Sequence, residues 1–238
     1  MLPKNCKIAY ILGMCYNQGV TEESVEKLDL FFSKFRPLNY KKHEVILRPD
    51  GSPTGVFYLS RGYVKLYALS ESGQELSLII FKPGDFFPMI WAFNDVNLTQ
   101  YLEAMTAVEI QRCSKEEFKT FLQKNPEALW DVTGKILIRL RGILERMEYM
   151  VFGNAHQKVS SILVICAERF GVKRDGEILI RVHLTHRDIA SLIGLTRETT
   201  SVELKKLDKM KIISKKGGLF RVQKLEKLKE EAQWYKYA

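Results

Sequence analysis

The residues whose types and spacing speak most directly of chemistry lie near the C-terminus, in Thr185-His186-Arg187-Asp188 and, eleven residues on, Thr196-Arg197-Glu198-Thr199. A threonine followed three residues later by an acidic side chain is a capping box, so Thr185 and Asp188 predict the start of a short helix running to Ile193. Gly194 then supplies a turn, and Thr196 predicts the cap of a second helix ending near Lys209. With Thr200, Leu204 and Leu207 turned inward at spacings of four and three, the opposite face displays Arg197, Glu198, Ser201, Val202 and Lys205. These groups suit a nucleic acid. A guanidinium reads guanine O6 and N7 in bidentate fashion, a carboxylate accepts from cytosine N4, and ammonium and hydroxyl groups hold phosphates. Two short helices joined by a glycine turn form a helix-turn-helix, whose second helix enters the major groove. Ile212 to Ser214, Lys215-Lys216-Gly217-Gly218 and Leu219 to Val222 then read as a hairpin, a wing with a basic tip.

Other chemistry finds little support. His43, His156, His183 and His186 are dispersed, and no G-x-S-x-G, Walker or paired metal motif occurs, so the sequence predicts neither an enzyme nor a metal site. Cys6, Cys15, Cys113 and Cys166 are too few and too scattered for a disulfide framework, and no C-x-x-C pair is present. A redox or cluster role for them has no pattern behind it. A heme would rest on His43 and the N-terminal cysteines alone. The cofactor stays unassigned.

Charge points the same way as the motif. Of the net +9, residues 152–238 hold eighteen lysines and arginines against ten acids, whereas residues 1–151 hold nineteen against eighteen. A basic excess confined to one end is expected where that end meets double-stranded DNA. No apolar run approaches the roughly 18 residues that a membrane span needs. Lys4 and Lys7 before the apolar stretch Ile8 to Tyr16 imitate a signal peptide, and Leu12-Gly13-Met14-Cys15 imitates a lipoprotein box. Met14 is too large for such cleavage, and Asn17 to Glu23 offers no other site, so the expected location is cytoplasmic.

The elements that must position the site follow from periodicity. Gly51, Gly62, Gly73 and Gly84 recur at intervals of eleven between strand-like segments Val56 to Ser60, Tyr63 to Leu69 and Leu76 to Phe81. With Glu44 to Arg48 and Tyr101 to Arg112, they predict an all-β barrel or sandwich over residues 20–113, followed by a helix from Ser114 to Lys124. From Pro126 a long helix begins. Leu129, Ile136, Leu140, Ile143, Met147 and Met150 are spaced as an a/d seam, which calls for a partner helix. That partner is a second copy of the chain or the helix's own β-domain, with Val132, Leu137 and Leu144 beside the seam available for the latter contact. The reading favours a homodimer. Val151 to Asn154 breaks this helix, and Ala155 to Phe170 forms another. Three parts result: residues 1–125, the dimerisation helix 126–151, and a basic domain over 152–238.

At Ile189-Ala190, Ile193-Gly194, Thr196-Arg197-Glu198-Thr199, Ser201, Leu204 and Leu207 the chain resembles the Crp/Fnr family of transcription regulators, and Pro83-Gly84-Asp85-Phe86 resembles the turn before that family's effector pocket. Residues 1–20 fall outside the resemblance. It implies an α+β chain with an N-terminal β-roll of the cyclic-nucleotide-binding type, a long dimerisation helix and a C-terminal winged helix-turn-helix. It further implies promoter DNA as partner, and RNA polymerase if the protein activates. The implied DNA-facing set is Thr185, His186, Thr196, Arg197, Glu198, Ser201, Val202, Lys205, Lys215 and Lys216. Val202 is a departure, because the family usually has a base-reading arginine there. The effector region departs further. Where cyclic-nucleotide binders of the family use an Arg-Ser pair on the phosphate and a Glu on the ribose, this chain has Leu98, Thr99 and Met89. A phosphate buried without a cation is costly, so a cyclic nucleotide is not expected. Met89, Trp91, Phe93, Leu98 and Tyr101, with Thr99, either line an apolar effector pocket or pack the roll. The rival to a DNA reader is an effector-binding module acting through protein contacts, against which Arg197, Ser201, Lys205 and the Lys215-Lys216 wing speak.

Overall fold

The computed structural model describes residues 22–49 and 51–233. The leader-like stretch with Lys4, Lys7, Cys6 and Cys15 lies outside the described residues. The chain divides into two compact units at Leu140 and Arg141, within the long helix itself.

The first unit opens with α1 (Glu22–Phe32) and continues through β1 (Pro37–Tyr40), β2 (Val45–Leu47), β3 (Val56–Arg61), β4 (Val64–Leu69), β5 (Glu75–Phe81) and β6 (Phe86–Phe87). A short helix α2 (Met89–Asn94) precedes β7 (Tyr101–Ala104) and β8 (Val108–Cys113), after which α3 (Lys115–Lys124) follows. The strands form two antiparallel sheets in the orders β1-β8-β3-β6 and β2-β7-β4-β5. Side chains of a strand alternate between faces, and β3 shows the consequence. Phe57 and Leu59 enter the core between the sheets with Val64, Phe81, Leu102 and Ile110, while Val56 and Tyr58 enter a second core with Leu28, Phe32, Phe118 and Val132. Four successive residues are therefore buried, as expected for a strand covered on both faces. Each large apolar side chain so buried contributes roughly 1.5–3 kcal/mol. The turn from β3 to β4 requires Gly62: its φ is +90°, and a Cβ there would stand 2.4 Å from the Ala107 carbonyl oxygen.

The helix α4 (Pro126–Phe152) is the long helix read from the seam. Its N-terminal half belongs to the β-roll unit, where Ala128 and Val132 join the second core. Arg139 pairs with Asp85 at 3.0 Å, and the Lys135 ammonium donates to the Gly84 carbonyl at 3.2 Å. The Gly84-Asp85 turn is thus tied to α4.

In the second unit Asn154 caps α5 (Ala155–Phe170) through a capping box with Gln157. The hairpin β9 (Gly171–Arg174) and β10 (Glu177–Ile180) leads to α6 (His186–Ile193), α7 (Arg197–Lys209), the hairpin β11 (Ile213–Lys216) and β12 (Leu219–Val222), and α8 (Leu225–Glu231). Its sheet runs β11-β12-β10-β9, with β10 paired to β12. The β9–β10 hairpin is an addition to the sequence reading. Val159, Leu163, Ile180, Leu184, Ile189, Leu207 and Phe220 of this unit are all buried.

Candidate nucleic-acid interface

The helix pair is built as its capping residues dictate. The Thr185 hydroxyl accepts from the Asp188 amide at 3.1 Å, and the Asp188 carboxylate accepts from the Thr185 amide at 2.7 Å. Gly194 ends α6 in the left-handed conformation at φ +65°. A Cβ there would stand 3.3 Å from the mobile end of the Met150 side chain, so the constraint at this turn is the backbone conformation and not space. The Thr196 hydroxyl then accepts from the Thr199 amide at 3.1 Å and starts α7. Thr200, Leu204 and Leu207 are buried as their spacing predicts.

The outer face of α7 carries Arg197, Glu198, Val202 and Lys205, all exposed, with Lys209 continuing it. Ser201 is half-buried, its hydroxyl 2.7 Å from His186 Nδ1, so these two predicted residues form a pair. Burial first, then the charges of Lys215, Arg197 and Lys205, push His186 below the ordinary imidazole range. At the wing, Gly217 and Gly218 both have positive φ, and the His183 ring lies where a Cβ of Gly218 would fall. Lys216 is exposed. Lys215 lies across the Phe220 ring at 4.5 Å and donates to the Leu184 carbonyl at 3.0 Å, which aims the wing strand as well as adding charge.

One support of α7 escaped the sequence reading. His156, in the first turn of α5, has Nδ1 2.8 Å from the Glu203 carboxylate of α7 and Nε2 2.9 Å from that of Glu231 in α8. Lys206 adds a bond to Glu203 at 2.7 Å. Burial by itself would raise Glu203, but Lys206 and His156 together outweigh it and hold this carboxyl below the usual carboxylate range.

This arrangement coincides with known sequence families. Residues 157–231 match the Crp-like helix-turn-helix domain, and residues 37–125 match the cyclic nucleotide-binding domain. The chain belongs to the Crp/Fnr family of transcription regulators. It is 24% identical over 193 residues to the cAMP-activated global transcriptional regulator CRP of Pasteurella multocida, covering 80% of this chain and 91% of that protein. To the global nitrogen regulator of a Nostoc species it is 29% identical over 185 residues, with 74% and 79% covered. Among solved structures, a CooA mutant from Carboxydothermus hydrogenoformans superposes with a TM-score of 0.72 at 25% identity, covering 84% of this chain and 89% of that one. A Crp/Fnr-family regulator from Thermus thermophilus gives 0.67 at 24%, covering 83% and 98%, and so shares the fold. The Crp/Fnr order of β-roll, long helix and winged helix-turn-helix is therefore present in full.

Within this Crp/Fnr chain the effector candidates go to different places. Met89 and Trp91 pack against the α-helical core of the roll, and Leu98 is buried in the core between the sheets. Phe93 is exposed, the Thr99 hydroxyl accepts from Gln100, and Tyr101 stacks on Tyr67 at 5.2 Å. Trp91 walls a mainly polar pocket of about 490 Å³ with Thr54, Asp95, Lys115 and Lys119. His43 Nδ1 lies 3.1 Å from Glu103, and its side chain is 70% exposed. Cys113 and Cys166 are buried, which pushes both thiols up to about 12 and keeps them protonated.

The seam also divides. Leu129, Leu140 and Met147 are exposed, whereas Ile136 packs against the roll, Ile143 is half-buried, and Met150 lies against the Gly194 turn. Leu137 and Leu144, expected to serve the β-domain, are exposed instead. The open apolar stripe is Trp130, Leu137, Leu140, Leu144, Met147 and Val151. It keeps a/d spacing and is rotated by one residue from the predicted seam over most of its length.

Proposed function

We propose that this regulator reads promoter DNA as a homodimer through α7 and the wing, and that its effector is not a cyclic nucleotide. The observation that carries the effector half is Leu98: the position that the family's cyclic-nucleotide binders give to a phosphate-gripping arginine is here an apolar side chain buried at 7% exposure. A phosphate placed there would lose its water and gain no cation. Lys135 and Arg139 of α4 are engaged with Gly84 and Asp85. The DNA half is supported by the exposed Arg197, Glu198 and Lys205 on one face of a helix held rigidly by its cap and its buried residues. A dimer is supported by the apolar stripe of α4, since a helix face so rich in leucine is unstable in water without a partner. Calorimetry tests the effector claim. Cyclic AMP and cyclic GMP should give no heat of binding at concentrations up to about 1 mM, a limit of roughly 4 kcal/mol in affinity. A micromolar dissociation constant for either would overturn it.

A further inference from the structure

His186 lies among the cations of the α7 face and the wing. It occupies the first turn of α6, half-buried, with Nδ1 on the Ser201 hydroxyl of α7 at 2.7 Å. Its ring faces Phe220 of β12 at 6.4 Å, the same ring that Lys215 of β11 covers at 4.5 Å. The charges that act on it from neighbouring elements are all positive: Lys215 from β11, and Arg197 and Lys205 from α7. On its own helix, the Asp188 carboxylate is turned back into the Thr185 cap. The imidazole is therefore surrounded by the cations of the DNA-facing surface without an anion of its own.

We propose that DNA binding by this protein takes up a proton at His186, so that affinity rises as the pH falls through the neutral range. The inference rests on reading the face of α7 and the wing as the DNA interface. In the free protein burial and three cations disfavour the imidazolium. A phosphate docked against Arg197, Lys205 and Lys215 cancels their repulsion and offers the imidazolium a charge-assisted partner. The complex then binds one more proton than its separated components. The same group acts with opposite sign on the free fold: a histidine depressed in the folded state weakens folding as the pH drops below its unfolded value near 6.5. Acid should therefore tighten the complex while slightly loosening the free domain, which separates this linkage from general acid damage.

The test is fluorescence anisotropy on a labelled duplex recovered by selection from a random pool, and on an unselected duplex at low salt, between about pH 5.5 and 8 at constant ionic strength. Wild-type affinity should fall as the pH rises, by up to about tenfold per unit where the slope is steepest. His186→Gln should flatten the profile, and His186→Arg should flatten it while keeping the tight binding of low pH. Calorimetry in two buffers of different ionisation enthalpy should show uptake of a proton by the wild type and none by His186→Gln. A flat wild-type profile overturns the inference, as does an undiminished slope in His186→Gln, which would assign the proton to another group such as His156 or His183. Binding that weakens with salt but ignores pH leaves the DNA interface standing and removes this inference alone. Failure to bind either duplex at any pH removes both.

Discussion

If α7 reads DNA as proposed, Val202 is the residue on which base preference should turn. It is 52% exposed on α7, four residues after Glu198 and three before Lys205, so it shares their face. Its methyl groups offer no hydrogen bond but fit a thymine C5-methyl, and the base opposite should be T or weakly specified. Val202→Arg should introduce a guanine at that step, a bidentate contact being worth about 1–3 kcal/mol of discrimination. The added charge also strengthens binding to every sequence, without altering preference. Selection from a random pool with both proteins at matched salt separates the effects, and identical half-site consensus sequences would mean that Val202 does not face the bases. Residues such as this were legible because capping and helical spacing are local. Thr185, Asp188, Gly194 and Thr196 place the helices within a few residues, and the facing of each side chain follows.

At the scale of elements, α7 is held from behind by His156, whose two ring nitrogens both face carboxylate oxygens. The ring joins α5, α7 and α8 in one contact. His156→Ala removes both hydrogen bonds and leaves Glu203, 7% exposed, with Lys206 as its partner. The cost should be on the order of 2–3 kcal/mol, felt locally. Hydrogen exchange should show amides of α7 and α8 opening about 30- to 100-fold faster, with the β-roll amides unchanged, since 1.4 kcal/mol is a factor of ten. Unchanged protection in α7 would show that the buried apolar face alone holds the helix. This contact was hidden in the sequence because its partners stand 47 and 75 residues from His156. The β9–β10 hairpin is different: Asp175-Gly176 between Val172 and Ile178 is a turn signal carried by neighbouring residues.

For the whole molecule, the stripe on α4 is the face that the proposed dimer would bury. Trp130 is 74% exposed, and Leu137, Leu144 and Val151 are exposed on the same face. Leu137→Glu with Leu144→Glu should place like charges at a two-fold contact and yield monomers with weakened DNA binding, as sedimentation would record. Ile136→Glu should act otherwise. Ile136 packs against the roll beside Val132 and Ala128, so a carboxylate there should destabilise the β-roll by several kcal/mol whether or not the chain is dimeric. A double variant that sediments as an unchanged dimer would move the interface off this face.

The order of roll, long helix and winged helix-turn-helix was determined by the sequence alone, because glycine turns, strand alternation, a heptad pattern and capping boxes are written in neighbouring residues. So was the outer face of α7. Which side of α4 meets the roll was a tertiary decision. Seams one residue apart differ by only 100° around a helix, and Ile136 or Leu137 would each satisfy a heptad. The roll settles it by offering Phe86, Phe118 and Leu122 to Ala128, Val132 and Ile136. The fate of Met89, Trp91, Leu98 and Tyr101 was likewise beyond the sequence: apolar residues that line a pocket and those that fill a core have the same composition. Only the closure of two sheets and three helices around them sends Leu98 to one core, Trp91 to the other and Tyr101 to the ring of Tyr67.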